Sequence, residues 1–85
     1  MSEAGQFLIE EVFDLESRGG LLVSGRLLAG QISMGDSLRD GVTGLTASVL
    51  GMEFPSPRDL ELSRMTLVVE RTSPTPVVVG RVLTT

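Results

Sequence analysis

Hydrophobic residues fall into six short runs that are rich in valine, leucine, isoleucine and threonine. Glycine, proline, serine and aspartate separate the runs at short intervals, as turn residues do between strands. This spacing is typical of β-structure and leaves little room for helices. The six predicted strands span residues 7–15, 21–29, 37–40, 46–54, 65–72 and 77–83.

The second run shows the alternation of side chains that a strand requires. Leu21, Val23 and Leu27 share one side, whereas Ser24 and Arg26 share the other with further leucines. The apolar side predicts an interior and the mixed side an exterior, with the Arg26 head group in water or against an acid. Six such strands indicate a small barrel or sandwich. One segment, 57–64, fits either a short helix or a loop with a single turn.

The chain of 85 residues is expected to form one domain, 1–85, with a disordered tail over residues 1–6. A domain of this size buries a limited core. The apolar fraction of 41% is accompanied by a mean hydropathy of +0.26. Spare apolar surface is therefore expected, and with it a protein partner or a homo-oligomer.

Charge and residue types narrow the chemistry further. Seven basic residues, all arginines, stand against eleven acids, which gives a formal net charge of −4. This balance disfavours RNA or ribosome binding and argues against DNA binding. The absence of His and Cys removes the usual general base, thiol nucleophile and metal ligands. We expect no metal, no cofactor and no enzymatic activity, since adjacent acids such as Glu10 and Glu11 should face opposite sides of a strand.

Neither a signal peptide nor a transmembrane span is expected, because residues 7–13 are the only apolar stretch near the first residue and are interrupted by polar ones. The default expectation is a cytoplasmic protein that does not bind membranes.

Several motifs occur in a recognisable order. They are Glu10-Glu11-Val12-Phe13, Gly20, Val23-Ser24-Gly25-Arg26, Gly30, Ile32, Gly35-Asp36, "VLGMEF" at 49–54 and "VVVGRVL" at 77–83. This set resembles the second domain of elongation factor Tu and related translational GTPases. The GTPase domain's phosphate-binding loop, G-x-x-x-x-G-K-[ST], does not occur in the chain, so no nucleotide is expected.

The resemblance implies an all-β fold, a small closed six-stranded antiparallel barrel with Greek-key connections. Within it, Gly25 would lie where a side chain obstructs a bend or a neighbouring strand. Gly30 and Gly35 would adopt positive φ or allow close approach. Ile32 would plug the barrel, and Asp36 would accept hydrogen bonds from turn amides.

The resemblance also implies a candidate ligand or tRNA-end pocket. In elongation factor Tu this domain helps to hold the aminoacyl end of tRNA. The matching positions, extended by the neighbouring arginine, are Glu10, Glu11, Phe13, Ser24 and Arg26. Carboxylates accept hydrogen bonds from hydroxyl or amino groups, and Phe13 offers a ring for stacking. Met65 replaces the family's asparagine and cannot make the same bonds.

Two other interpretations of these positions stay open. Phe13 would pack on the barrel end with Glu10 and Glu11 partly solvated, or the set would bind an unrelated ligand.

A second candidate site is the loop that carries two alternating prolines, which hold it extended. Its candidate partner-contact residues are Glu53, Phe54, Pro55, Pro57 and Arg58. The alternative is that this loop simply crosses the barrel end.

Taken together, these features predict a non-catalytic interaction module that binds a protein partner or itself. The alternative is a translation-associated accessory protein that contacts tRNA or the ribosome.

Overall fold

Six strands and one short helix form in the parts of the chain that the computed structural model describes, residues 4–15, 19–53 and 56–85. The elements are β1 Gln6–Leu15, β2 Gly20–Ala29, β3 Ser37–Asp40, β4 Thr46–Met52, α1 Pro57–Glu61, β5 Arg64–Glu70 and β6 Val82–Thr84.

The strands close into a barrel in the order β1-β2-β5-β4-β3-β6, and every neighbouring pair is antiparallel. This confirms the predicted fold class, an all-β, closed six-stranded antiparallel barrel. The Greek-key description of the connections stays a prediction.

Five of the six predicted strands agree closely with the observed ones. The sixth was expected over residues 77–83, but β6 covers only Val82–Thr84. The difference arises from a turn in which the Arg81 amide donates to the Val78 carbonyl (3.1 Å) and Gly80 has φ of +91°. Val79 is 60% exposed at this turn, whereas Leu83 in β6 is fully buried.

Ordered structure begins earlier than the sequence suggested. A disordered tail was expected over residues 1–6, of which 1–3 lie outside the described residues. Gly5 is buried, its amide donates to Thr85 Oγ1 (2.8 Å), and the Thr85 amide donates to the Gly5 carbonyl (3.0 Å). Gln6 already pairs with Thr84, so a tail that reaches residue 6 is wrong.

The core consists of side chains from all six strands and two connections. Phe7, Leu38, Leu67 and Leu83 are among its largest fully buried members. Ile32, which belongs to the connection between β2 and β3, is only 5% exposed and fills the barrel as predicted. The remaining buried apolar residues are Ile9, Leu21, Val23, Ala47, Val49, Val69 and Val77.

Gly25 lies where β1 and β2 are packed very closely. A Cβ atom at this position would overlap the carbonyl oxygen of Leu8 and would lie 3.0 Å from Phe7 Cζ. β1 therefore approaches β2 at a distance that only glycine allows. The prediction that a side chain here would obstruct a neighbouring strand is confirmed.

The connection from β2 to β3 also has the predicted geometry. Gly30 and Gly35 have φ of +63° and +92°, which L-amino acids other than glycine rarely adopt. Between them, the Ser33 amide donates to Asp36 Oδ2 (2.8 Å). The turn is thus held by the carboxylate that the sequence assigned to it.

The seam between β3 and β6 is short, with only Arg39–Thr84 and Asp40–Leu83 in register. Asp40, 2% exposed, reinforces it from the end of β3. Its carboxylate accepts hydrogen bonds from the Val42 amide (2.9 Å), Thr43 Oγ1 (3.0 Å) and Arg81 Nη1 (2.7 Å). A buried carboxylate with three donors ties the turn after β3 to the chain just before β6.

The hydrogen bond from Val42 is the main cause of a lowered Asp40 pKa; Thr43 and Arg81 lower the pKa further, while burial opposes them. A carboxylate whose folded pKa is depressed stabilises the fold above its unfolded pKa of about 4, and this stabilisation is lost as pH falls through the folded pKa. We expect Asp40→Asn to lower the thermal midpoint by several degrees at neutral pH, and the gap from wild type to close in acid. Thermal unfolding between neutral and strongly acidic pH measures this, with the exposed Glu61→Gln as control. A gap that stays constant into strong acid would contradict it.

Candidate functional site

The backbone of β1 changes its side-chain alternation at Glu10. Ile9 pairs with Gly25 and Glu11 pairs with Ser24, so Glu10 is an extra residue that forms a β-bulge. Because one inserted residue exchanges the two faces of a strand, the inward positions shift from Phe7 and Ile9 to Val12. Residues after the bulge that would have pointed inward point outward instead.

The bulge brings the five candidate pocket residues onto one outer surface. Glu11 lies beside Ser24, and Glu10 reaches Arg26, whose side chain is 53% exposed. Phe13 is also 53% exposed and pairs with Leu22 on the outer face of β2. The expectation that Glu10 and Glu11 face opposite sides was wrong, because the bulge interrupts the alternation on which it rested. Phe13, which one interpretation packed on the barrel end, is half-exposed on the outer face, whereas the partial solvation of Glu10 and Glu11 that the same interpretation expected is observed.

Met65, which stands where the resemblance implies asparagine, lies on the other side of the sheet. It pairs with Gly25, which is buried, and packs against the core. The position therefore contributes no polar group to the outer surface that carries the five candidate residues.

An ion cluster occupies one end of this surface. Arg26 on β2 is directly opposite Arg64 on β5, which places two cations side by side. Glu10 lies between them, with Oε2 3.8 Å from Arg26 Nε and Oε1 3.7 Å from Arg64 Nε. Oε1 is buried and accepts no hydrogen bond within the described structure. Sequence reasoning missed Arg64, because it assigned this residue to the segment 57–64 and began the fifth strand at residue 65, whereas β5 begins at Arg64.

We expect Glu10→Gln to destabilise the barrel modestly, by about 0.5–1 kcal/mol, because it leaves two facing guanidinium groups without their shared carboxylate. Urea unfolding at low and high salt measures the change, and the difference from wild type should shrink as salt screens the two cations. An equal loss at both salt concentrations would show that the cluster's charges contribute nothing.

The proline-containing loop follows Met52, the last residue of β4. Glu53 is exposed, and its amide donates to the Thr66 carbonyl (2.9 Å), so the loop leaves the sheet beside β5. Pro57 and Arg58 are exposed at the start of α1. Phe54 and Pro55 lie outside the described residues. The chain after this loop returns to the sheet through α1 and β5.

Apolar side chains continue across the outer face from Phe13. Phe13 pairs with Leu22, and Leu22 pairs with Val68 on β5. Leu50 is the extra residue of a second bulge, in β4, and is 47% exposed. A Cβ atom on Gly20 would lie 3.1 Å from Val68 Cγ1 and 3.6 Å from Leu50 Cδ1, so these two side chains are neighbours. We call Phe13, Leu22, Val68 and Leu50 the outer stripe.

The outer stripe crosses four adjacent strands on the outside of the barrel. At the usual spacing between strands it is about 14 Å long. Leu22 and Val68 are half-buried in the middle, whereas Phe13 and Leu50 stand more exposed at the ends. Sequence reasoning placed Leu22 on the outer side of β2 but did not connect it with Val68 and Leu50, because strand neighbours distant in sequence are not visible in a linear pattern.

Two features do not occur in the described parts of the chain. Among residues 4–15, 19–53 and 56–85, no three His, Cys, Asp or Glu side chains are grouped to hold a metal ion. Within those same ranges, no helix is long and apolar enough to cross a membrane.

Comparisons with protein-family models, curated proteins and solved structures returned no significant match for this chain.

Proposed function

We propose that the chain is a non-catalytic β-barrel module that binds a protein, either a partner or a second copy, through the outer stripe. The observation that carries this proposal is the exposure of Phe13 and Leu50 at the ends of a continuous apolar row. The interior is already filled by other residues, so the stripe is not part of the core. Contiguous exposed apolar surface on a small domain is typical of an interaction site.

The resemblance to the second domain of elongation factor Tu is part of the proposal. It is supported by the ordered motifs and by the structural roles of Gly25, Ile32 and Asp36, which fit the barrel that the resemblance implies. A cytoplasmic location is a further part of the proposal.

A second candidate function is an accessory role in translation through contact with tRNA or the ribosome. It is favoured by one observation, the grouping of Glu10, Glu11, Phe13, Ser24 and Arg26 on one outer surface. An exposed phenyl ring beside carboxylates suits an unstacked nucleotide. Charge weighs against it, because Arg26 and Arg64 share Glu10 and the chain carries a net charge of −4.

An affinity pull-down from lysate of the native source, with and without ribonuclease, separates the two functions. Phe13→Ser removes one end of the stripe, and Val42→Ser, at a position 79% exposed in the turn after β3, is the matched control. We expect a protein to be retained in both lanes by wild type and Val42→Ser, and lost with Phe13→Ser. Sedimentation of the purified chain at increasing concentration identifies a second copy as that protein.

Two results would count against protein binding through the outer stripe. Capture that ribonuclease abolishes, and that weakens steeply as salt rises, would favour the translation role. Equal retention by wild type and Phe13→Ser would contradict binding through the outer stripe.

A further inference from the structure

We infer that the protein bound by the outer stripe is not a second copy but a partner segment whose apolar side chains are flanked by Lys or Arg. This inference rests on the proposed function and deepens it. It is carried by the placement of acidic side chains along both sides of the stripe and by the pairing of the nearby cations.

Acidic residues border the stripe on both long sides. Glu11 lies two residues before Phe13 on the outer face of β1, opposite Ser24. Glu70 lies two residues after Val68 on β5, opposite Gly20, so it borders the other side. Glu53 follows β4 and is bonded through its amide to Thr66, which places its backbone on the same side as Glu11.

Within the described residues, the bordering acids Glu11, Glu53 and Glu70 form no ion pair, and all three are exposed. The described cations nearest to the stripe are already engaged with other acids. Arg26 and Arg64 lie beside Glu10, and Arg71 is paired with Asp14. The apolar row is therefore bordered on both long sides by exposed carboxylates that have no ion-pair partner among the described residues. Arg26 and Arg64 share only Glu10, which leaves one positive charge beyond the Glu11 border.

A second copy would be a poor occupant of this surface. It would bring its own unpaired acids against those of the first copy, and each copy carries a net charge of −4. Like charges at the rim of an interface weaken association, whereas opposite charges speed the encounter and fix its register. A segment with basic residues beside its apolar ones would pack its apolar side chains on the row and place its positive charges against the acids on both sides.

The dimensions of the stripe suit a short amphipathic segment. A row of about 14 Å is matched by roughly nine residues of α-helix at 1.5 Å each. A helix of that length presents three or four apolar side chains on one face, with flanking positions free for Lys or Arg.

The test uses two synthetic amphipathic peptides with identical leucine positions, one with lysine and one with glutamate at every polar position. Binding of each labelled peptide to the purified full chain is followed by fluorescence anisotropy. We expect the leucine–lysine peptide to bind wild type at least about tenfold more tightly than the leucine–glutamate peptide.

Two variants distinguish the effect of a bordering acid on peptide binding from the effect of the net charge of the chain. Glu70→Lys changes a bordering acid, and Glu61→Lys makes the same change of net charge on the exposed surface of α1. We expect Glu70→Lys to weaken binding of the leucine–lysine peptide at least about threefold more than Glu61→Lys does. Equal weakening by the two variants would overturn the inference, as would equal binding of the two peptides or a wild-type dimer that Phe13→Ser dissociates.

The same titrations distinguish failure of this inference from failure of the proposed function. If Phe13→Ser abolishes peptide binding while Glu70→Lys and Glu61→Lys are equivalent, the stripe binds but its charged borders do not select the partner. If Phe13→Ser binds the peptide as wild type does, the stripe is not the binding surface and both proposals fail. Thermal unfolding of each variant establishes that the comparison is made on folded protein.

Discussion

Alanine at position 25 is expected to prevent the barrel from folding, or to leave it largely unfolded at ordinary temperature. The added methyl group would overlap the Leu8 carbonyl oxygen, lie 2.9 Å from the Leu8 carbonyl carbon and crowd the Phe7 ring. The first two obstacles are backbone atoms of the paired strand, so relief requires that β1 and β2 separate. We expect a loss of at least about 3 kcal/mol, a large part of the stability that a domain of this size has.

Urea unfolding followed by circular dichroism measures this loss, with Gly41→Ala as the matched control. Position 41 has open space around it and no positive φ, so alanine there should change the free energy of unfolding by less than about 0.5 kcal/mol. A Gly25→Ala variant as stable as the Gly41→Ala variant would mean that β1 and β2 are not in the register described.

Phe7→Ala is expected to have the second large effect, because Phe7 is the largest side chain in the core and is fully buried. Truncation removes its apolar contacts and leaves a cavity that a closed barrel cannot collapse around. The expected loss is about 3–5 kcal/mol of unfolding free energy.

Phe13→Ala is the matched control for Phe7→Ala, since both residues are phenylalanines of β1. Phe13 lies on the outer face and is 53% exposed, so its truncation should lower the free energy of unfolding by less than about 1 kcal/mol. Chemical unfolding of the two variants under identical conditions compares them directly. Comparable losses would contradict the exchange of faces at Glu10.

The strands were predictable from the sequence because they carry local signals, which left a barrel or a sandwich open, whereas the closed barrel was implied by the resemblance. In β2, alternation distinguished the buried Val23 from the exposed Arg26, and the structure agrees. Glycines in the β2–β3 connection and the acid at Asp36 predicted a turn that is observed. These features depend on residues that are close together in the chain, so a single sequence is enough to indicate them.

Features that depend on pairing between distant strands were not predictable. The bulge at Glu10 forms because Ile9 and Glu11 on β1 pair with Gly25 and Ser24, which are adjacent on β2. No residue type in the sequence indicates such a bulge. The orientation of Phe13 follows from that bulge. The turn at Val78–Arg81, which shortens β6, was hidden within an apolar run that looks like a continuous strand.

The candidate site was predicted in part. Sequence reasoning named Glu10, Glu11, Phe13, Ser24 and Arg26 together, and the structure places them on one outer surface. It did not include Arg64 or the apolar residues that extend the surface from Phe13. Their contribution depends on the order of strands in the barrel, in which β5 lies beside β2 and β4 lies beside β5.

Hydroxyl-radical footprinting of the tagged chain, alone and in ribonuclease-treated lysate of the native source, tests whether the outer stripe is the binding surface. We expect oxidation of Phe13 and Leu50 to fall in the lysate, while Met34 and Val42, which are exposed elsewhere, stay as reactive as in the isolated chain. Unchanged oxidation of Phe13 and Leu50, or protection confined to residues 53–58, would contradict the assignment of the outer stripe as the binding surface.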